Sequence, residues 1–376
     1  MNSYAIIGAG CGDEGKGLVT NWLCGRSKNP LAIRFSGGAQ SGHTVVHNGI
    51  RHIFSSFGSG TLRGVPTYWS KYCTVDPIAI CNELAQLQSK GVTPELYIDI
   101  ECPVTTPYDA YVNQQTANKI GHGSCGVGFG NTIEREEHLY SLTFGDLFYP
   151  QVFEVKYKNI QDYYGVGNVC PNVDDTEFLK CCHSVTENRC ISGVPGIPNQ
   201  DYSNYIFEGS QGLLLDQHYG FFPNVTRSNT GCRNAVEILG TGNFEVYLVV
   251  RAYQTRHGNG FMSNENIPHN IRENSEETNK EHPYQGKFRR SLLDVSLLKY
   301  ALSKDPWIRT STWKHLVVTC LDHVVDDYRF TYGSDNHIVK CRNEKDFLTR
   351  LSSLTGIADV YASHSAESDN ITHCIL

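Results

Sequence analysis

Six short β-branched runs, "YAIIGAG", "LAIRFSGG", "LYIDI", "YIFEGSQG", "VYLVVRAY" and "LVVTCLD", punctuate the chain, and several run directly into glycine or a polar residue. Strands of this kind, alternating with helical patterns, build a large, mainly parallel sheet covered by helices on both faces, so the expected fold class is α/β. Ligands in such folds sit just beyond the carboxyl ends of the strands, and those junctions are where functional residues are expected. A chain of 376 residues can bury the core this sheet needs. Length alone allows one large α/β domain or two, and the chain is read as one domain over 1–376. Two stretches break the rhythm. Residues 155–205, polar and rich in Tyr, Asn and Cys, are read as an insertion; 264–288, with almost nothing to bury, is read as a mobile substrate loop or local disorder.

A net charge of −7 gives no reason to expect nucleic-acid binding, which rests on clustered Lys and Arg. The 14 cysteines are scattered, form no CxxC, and include the adjacent pair Cys181–Cys182, a pattern that argues against both a zinc site and a disulfide framework. Reduced thiols in a cytoplasmic protein are expected. The start "MNSYAIIGAG" lacks a basic segment and a long apolar run, and the longest apolar stretches are strand-sized, so neither a signal peptide nor a membrane span is expected.

The ten residues "GAGCGDEGKG" at 8–17 carry two competing nucleotide motifs. Gly10, Gly12 and Gly15 meet the dinucleotide spacing G-x-G-x-x-G, but the next strand, "LAIRF", ends near Arg34 where an acidic residue should hold a ribose. Gly10, Gly15 and Lys16 also fit G-x-x-x-x-G-K-[ST], with Gly17 in place of the hydroxyl residue that binds Mg²⁺. The loop can still cradle phosphate through backbone N–H groups and Lys16. Asp13 is the chemical clue. A carboxylate among phosphates is costly unless it binds metal or moves a proton.

"GCGDEGKG" followed by "RFSGGAQSGHTVV" resembles the adenylosuccinate synthetase family, and "CGVGFG", "FEGSQGLLLDQHYGFFPNVTRSN", "VVRAYQTRHGNG", "GKFRRSLLD" and "TCLD" continue the likeness across nearly the whole chain. That resemblance implies a ligase that uses GTP and Mg²⁺ to join L-aspartate to inosine monophosphate at C6 through a 6-phosphoryl intermediate. It implies Asp13 as the base that removes the purine N1 proton and touches Mg²⁺, and His43 as the acid beside the transferring phosphate. Lys16 acts with them, and Gln211 orients O6. Gly12, Glu14, Gly15, Lys16, Gly17 and Gly42 would bind the nucleoside triphosphate, with the Gly42 carbonyl on the metal. Gln40, Ser124, Thr226, Lys287 and Arg135 would meet the purine monophosphate, Arg135 being lent by a neighbouring subunit of a homodimer. Asp216, His218 and Tyr219 resemble scaffold around the purine pocket.

The departures from the family are localised. The aspartate loop, Gln285, Gly286, Lys287, Arg289 and Arg290, lacks the family's paired threonines, and Lys287 replaces a bidentate arginine with a point charge. Arg289 would also reach the phosphate donor. Guanine selection in the family rests on Thr-Lys-x-Asp; here Thr319 and Asp322 remain and Cys320 replaces the lysine, while Ser363 opens "SHSAES" where "STGPDR" is usual. ATP therefore stands beside GTP as a donor. His122 and Gly123 replace threonines near the monophosphate. Several changes are similar to those of bacteriophage synthetases that act on deoxyguanosine monophosphate, although those typically carry Ser or Thr in place of Asp13. Asp13, Lys16, His43 and Gln211 together speak against a paralogue that only binds nucleotide.

Overall fold

Five of the six runs lie side by side in one ten-stranded sheet. Its order is Thr372–Cys374, Asp359–Ala362, Lys314–Thr319, Glu245–Arg251, Asn2–Gly8, Asn204–Gly212, Pro30–Arg34, Thr67–Trp69, Leu96–Asp99 and Ile191–Val194. Every neighbouring pair is parallel except the edge strand Thr372–Cys374 against Asp359–Ala362. This is a computed structural model, and it describes residues 2–120, 124–167, 173–274, 277–278, 281 and 284–376.

Strand periodicity splits the core in two. Ala5, Ile7, Leu31, Ile33, Phe207, Leu248 and Val318 face one side, while Ile6, Ala32, Ile206, Val249 and Val317 face the other, where Leu18, Val19, Trp22 and Leu23 of the helix Lys16–Arg26 cover them. Fully burying one such side chain is worth about 1.5–3 kcal/mol, so a strand apolar on both faces is driven to the middle of the sheet. The register fixes where the chemistry sits. Ile6 pairs with Glu208 but Gly8 pairs with Gly212, so the strand Asn204–Gly212 bulges at 209–211 and presents Ser210 and Gln211 at the carboxyl end of the sheet.

A second sheet, Tyr253–His257, Phe288–Asp294, Arg329–Tyr332 and His337–Lys340, and a hairpin, His43–His47 with Ile50–Phe54, complete the strands. The described part of 155–205 is more regular than its composition suggests. It contains most of the helix Pro150–Tyr163, the helix Thr176–Glu187 and the edge strand Ile191–Val194. Tyr157, Ile160, Phe178, Cys181, Cys182 and Val185 are buried there, so Tyr and Cys supply the apolar face that the polar composition hides. The described part of 264–287 is irregular, and Phe288 opens a strand. All described cysteines are free thiols, and no described helix is long and apolar enough to cross a membrane.

Candidate active site

The glycine loop leaves the central strand Asn2–Gly8 and turns through Gly12 (φ 91°), Asp13 (φ 62°) and Gly15 (φ 98°) before the helix Lys16–Arg26 begins. Positive φ at these positions explains two of the glycines, and Asp is among the few side chains that tolerate it. Glu14 is buried behind the loop. It accepts from the Gly10 and Gly12 N–H groups (3.1 and 2.8 Å) and lies 2.5 Å from the Lys16 ammonium. Burial opposes the Glu14 charge, but Lys16 and the Gly12 and Glu14 N–H groups outweigh it and hold the carboxyl below the usual range. Glu14 lines the small cavity behind the loop rather than the open cleft, so it braces the loop and Lys16 instead of facing a nucleotide.

In front of the loop a cleft of about 490 Å³ is lined by Gly12, Asp13, Gly15, Lys16, Gly17, Gln40, Gly42, His43, Gln211, Gln285, Thr319 and Asp322, gathering most of the residues expected to act on nucleotides. Apart from Gln285, which precedes the strand Phe288–Asp294, they arrive from the segments that follow adjacent central strands. Arg251, at the end of one of them, was not anticipated from sequence. Its Nε donates to the Asp13 carbonyl (2.5 Å), its Nη1 to the Tyr253 hydroxyl (2.9 Å) and to Glu277 (3.1 Å). Burial pushes the Asp13 carboxyl above the usual carboxylate range, and the Arg251 guanidinium pulls back against it.

His43 Nδ1 lies 2.5 Å from Glu208, whereas His43 Nε2 is buried with no partner among the described residues. Both polar atoms of the Gln40 carboxamide and Gln211 Oε1 are likewise buried and unpartnered. Unmade hydrogen bonds of buried polar groups cost about 1–3 kcal/mol each, so a cluster of them around one cleft marks a place built for a polar ligand. Below it, fully buried Arg34 donates to the Ser41 and Ser210 hydroxyls (2.7 and 3.2 Å) and stacks on Trp69 at 5.0 Å.

Other expected residues lie elsewhere. Arg135 is fully buried, paired with Asp109 at 3.1 Å and donating to the Val104 and Tyr140 carbonyls. It is a strut of the fold, and the expectation that it is lent to a neighbouring subunit is corrected. Ser124 donates to Asn113 (2.9 Å), Ser363 is buried and donates to the Ser365 carbonyl, and Thr226 is held through its backbone N–H to Leu215. None of the three lines the cleft, nor do Gly286 and Lys287. Arg289 pairs with Glu265 (2.9 Å) and donates to the Gly258 and Gly260 carbonyls, and Arg290 donates to the Arg272 carbonyl. Asp216 holds its own turn by accepting from the N–H groups of His218, Tyr219 and Thr230, which fits the scaffold role. His122 and Gly123 lie outside the described residues. At the far end of the cleft, the Thr319 hydroxyl donates to the Glu14 carbonyl (2.7 Å), and Cys320, Asp322, His364, Ser365 and Ala366 form the wall.

Comparison with known proteins places the whole arrangement. The family model described as adenylosuccinate synthetase matches residues 5–372. A curated adenylosuccinate synthetase of Mannheimia succiniciproducens is 31% identical over 281 residues, 70% of this chain and 65% of that protein; one of Nitrosomonas eutropha is 32% identical over 280 residues, 69% and 64%. The matched region thus spans just under two thirds of those relatives' length. Among solved structures, fully ligated adenylosuccinate synthetase from Plasmodium falciparum superposes with a TM-score of 0.79 at 18% identity over the full length of both chains. The cyanophage S-2L succinoaminodeoxyadenylate synthetase bound to dGMP and dATP has a TM-score of 0.66 at 14% identity, covering 99% of this chain and 95% of that one. At such identities the two structures speak to the fold alone.

Proposed function

The chain belongs to the adenylosuccinate synthetase family, and from that premise we propose that it joins L-aspartate to C6 of a purine nucleoside monophosphate, in the simplest case inosine monophosphate, at the expense of GTP. The observation that carries this reading is the convergence of unpartnered, buried Gln40, Gln211 and His43 atoms with Asp13 and Lys16 on one cleft. The Asp13 carboxylate takes the N1 proton, so O6 gains the electron density to attack the γ-phosphorus as the bond to the diphosphate leaving group breaks. The Gln211 carboxamide holds the O6 edge. Lys16 and His43 meet the charge on the transferring phosphoryl group, a task of positioning and electrostatics. The aspartate amine then adds at C6 and phosphate departs with the former O6.

A Mg²⁺ ion fits the donors present, because the Asp13 carboxylate and the Gly42 carbonyl both border the cleft and Mg²⁺ is held by one or two protein oxygens with phosphates and waters. When bound it would neutralise charge on the phosphates. A homodimer is proposed on family membership. Asp322 is the proposed acceptor for the guanine N1–H and 2-amino groups of GTP. Hydrogen bonds to charged groups are worth about 1.5–3 kcal/mol, so Asp322→Asn is expected to raise the KM for GTP at least about tenfold, with little effect when ATP is donor. An unchanged KM for GTP would remove Asp322 from base recognition.

A second reading, a deoxyguanosine monophosphate acceptor with ATP or GTP as donor, keeps the same residues. Cys320 in place of the usual lysine favours a relaxed donor pocket. Incubating the protein with Mg²⁺, aspartate and each pairing of inosine or deoxyguanosine monophosphate with GTP or ATP separates the readings. Succinylated product with inosine monophosphate supports the first. Absence of product from all four pairings would overturn both.

A further inference from the structure

Glu208 lies in the strand Asn204–Gly212 with no solvent exposure, and among the described residues its ion-pair partner is His43 rather than an arginine or lysine. Its Oε1 meets His43 Nδ1 at 2.5 Å and accepts from the Ser59 hydroxyl, and its Oε2 accepts from the Ser59 N–H at 2.9 Å. Ser59 is in turn fixed by Asn21 of the helix Lys16–Arg26, whose side chain donates to the Ser59 carbonyl at 2.7 Å. An ionised carboxylate can only accept, so the hydrogen of the imidazole must sit on Nδ1. The other nitrogen, Nε2, is then bare, buried, without a partner among the described residues, and on a side chain that borders the cleft.

We propose that Glu208 is a positioning residue of the site: it fixes His43 as the Nδ1–H tautomer with Nε2 as the atom that serves the transferring phosphoryl group. Resting on the ligase reading given above, this assigns a role to a side chain outside the cleft. The charged groups packed around the pair are consistent with it. Arg34 from the neighbouring strand and Lys16 from the helix start are the cations that act on His43 from the elements packed against it. Burial also opposes the charge on Glu208, but His43, Arg34 and Ser59 hold that carboxyl down at about 2. Both Glu208 oxygens accept from Ser59, which leaves the carboxylate as acceptor and Nδ1–H as donor in the contact with His43. A proton taken up from solvent at Nε2 as the phosphoryl group arrives would make that nitrogen a donor, while Glu208 goes on accepting from Nδ1–H.

The test is the tautomer itself, read from ¹⁵N–¹H correlation spectra of histidine-labelled, otherwise unmodified protein without nucleotide. His43, identified by its loss in His43→Asn, is expected as the Nδ1–H form with Nε2 unprotonated. An Nε2–H form would overturn the proposal, whether or not the protein is a ligase. In Glu208→Gln the amide can also donate, so the tautomer preference is expected to weaken and kcat to fall about 100-fold or more, with KM values shifting far less. Glu208→Asp should restore the Nδ1–H signal and part of kcat. Retention of full kcat by a folded Glu208→Gln would overturn the positioning role. Absence of activity in the unmodified protein, with the Nδ1–H tautomer present, would instead count against the ligase reading.

Discussion

Asp13→Asn is expected to lower kcat by about 10²–10⁴-fold, the range a positioned general base supplies, while nucleotide affinity changes little. The substitution is nearly isosteric, and Asn tolerates the left-handed backbone that Asp13 adopts at φ 62°, so the loop should persist. What disappears is the group that takes the N1 proton. The pH dependence follows from the burial that raises the Asp13 carboxyl. A base must be ionised to act, so kcat in the unmodified enzyme should fall on acidification at a pH above about 4, the ordinary carboxylate value. Removing the guanidinium with Arg251→Met should move that acid limb to still higher pH, since Arg251 is the leading influence lowering it. Unchanged turnover in Asp13→Asn would assign the proton to another group.

Gly17→Ala is expected to cost both stability and turnover, although it adds a single carbon. A Cβ there would lie 2.6 Å from His43 Cβ and 2.7 Å from Ser59 Oγ. The first of these atoms is fixed to the backbone of the strand His43–His47 and cannot swing away. Forced overpacking of this kind costs about 1–3 kcal/mol. A displacement of about 1 Å at reacting groups is worth about 100-fold in rate, and here the displaced group is His43 with its Ser59–Glu208 support. Thermal denaturation and steady-state kinetics of Gly17→Ala beside Gly130→Ala, whose added Cβ meets nothing within 4 Å, give the contrast. Equal behaviour of the two would contradict it. The same geometry explains why the loop lacks a phosphate-loop hydroxyl. His43 packs where that side chain would begin.

The sheet was legible because its central strands are apolar on both faces and long enough to show it. Asn2–Gly8, Asn204–Gly212 and Glu245–Arg251 are all such strands. The interior strand Thr67–Trp69 and the edge strands Ile191–Val194 and Thr372–Cys374 were not, since three or four residues hold little period to read. Within the site, Gly12, Asp13, Lys16, Gln40, His43, Gln211, Thr319 and Asp322 belong to motifs that are contiguous in sequence, and the structure brings them to one cleft. Arg135 misled because the sequence of a buried arginine resembles that of an exposed one, and its partner Asp109 lies 26 residues away. Glu208 and Arg251 were passed over for a related reason. Their partners, His43 and Asp13, are 165 and 238 residues distant, and only folding pairs them. The one sequence signal was the placement of Glu208 and Arg251 near the carboxyl ends of strands.

The central claim is that O6 of the purine attacks the γ-phosphate and leaves with it, so the atom to follow is that oxygen. With inosine monophosphate labelled with ¹⁸O at C6, aspartate, Mg²⁺ and GTP, mass spectrometry of the released phosphate should find one ¹⁸O per phosphate for every succinylated purine formed. Unlabelled phosphate alongside labelled, unreacted purine would mean that the triphosphate is hydrolysed by water and would contradict the account.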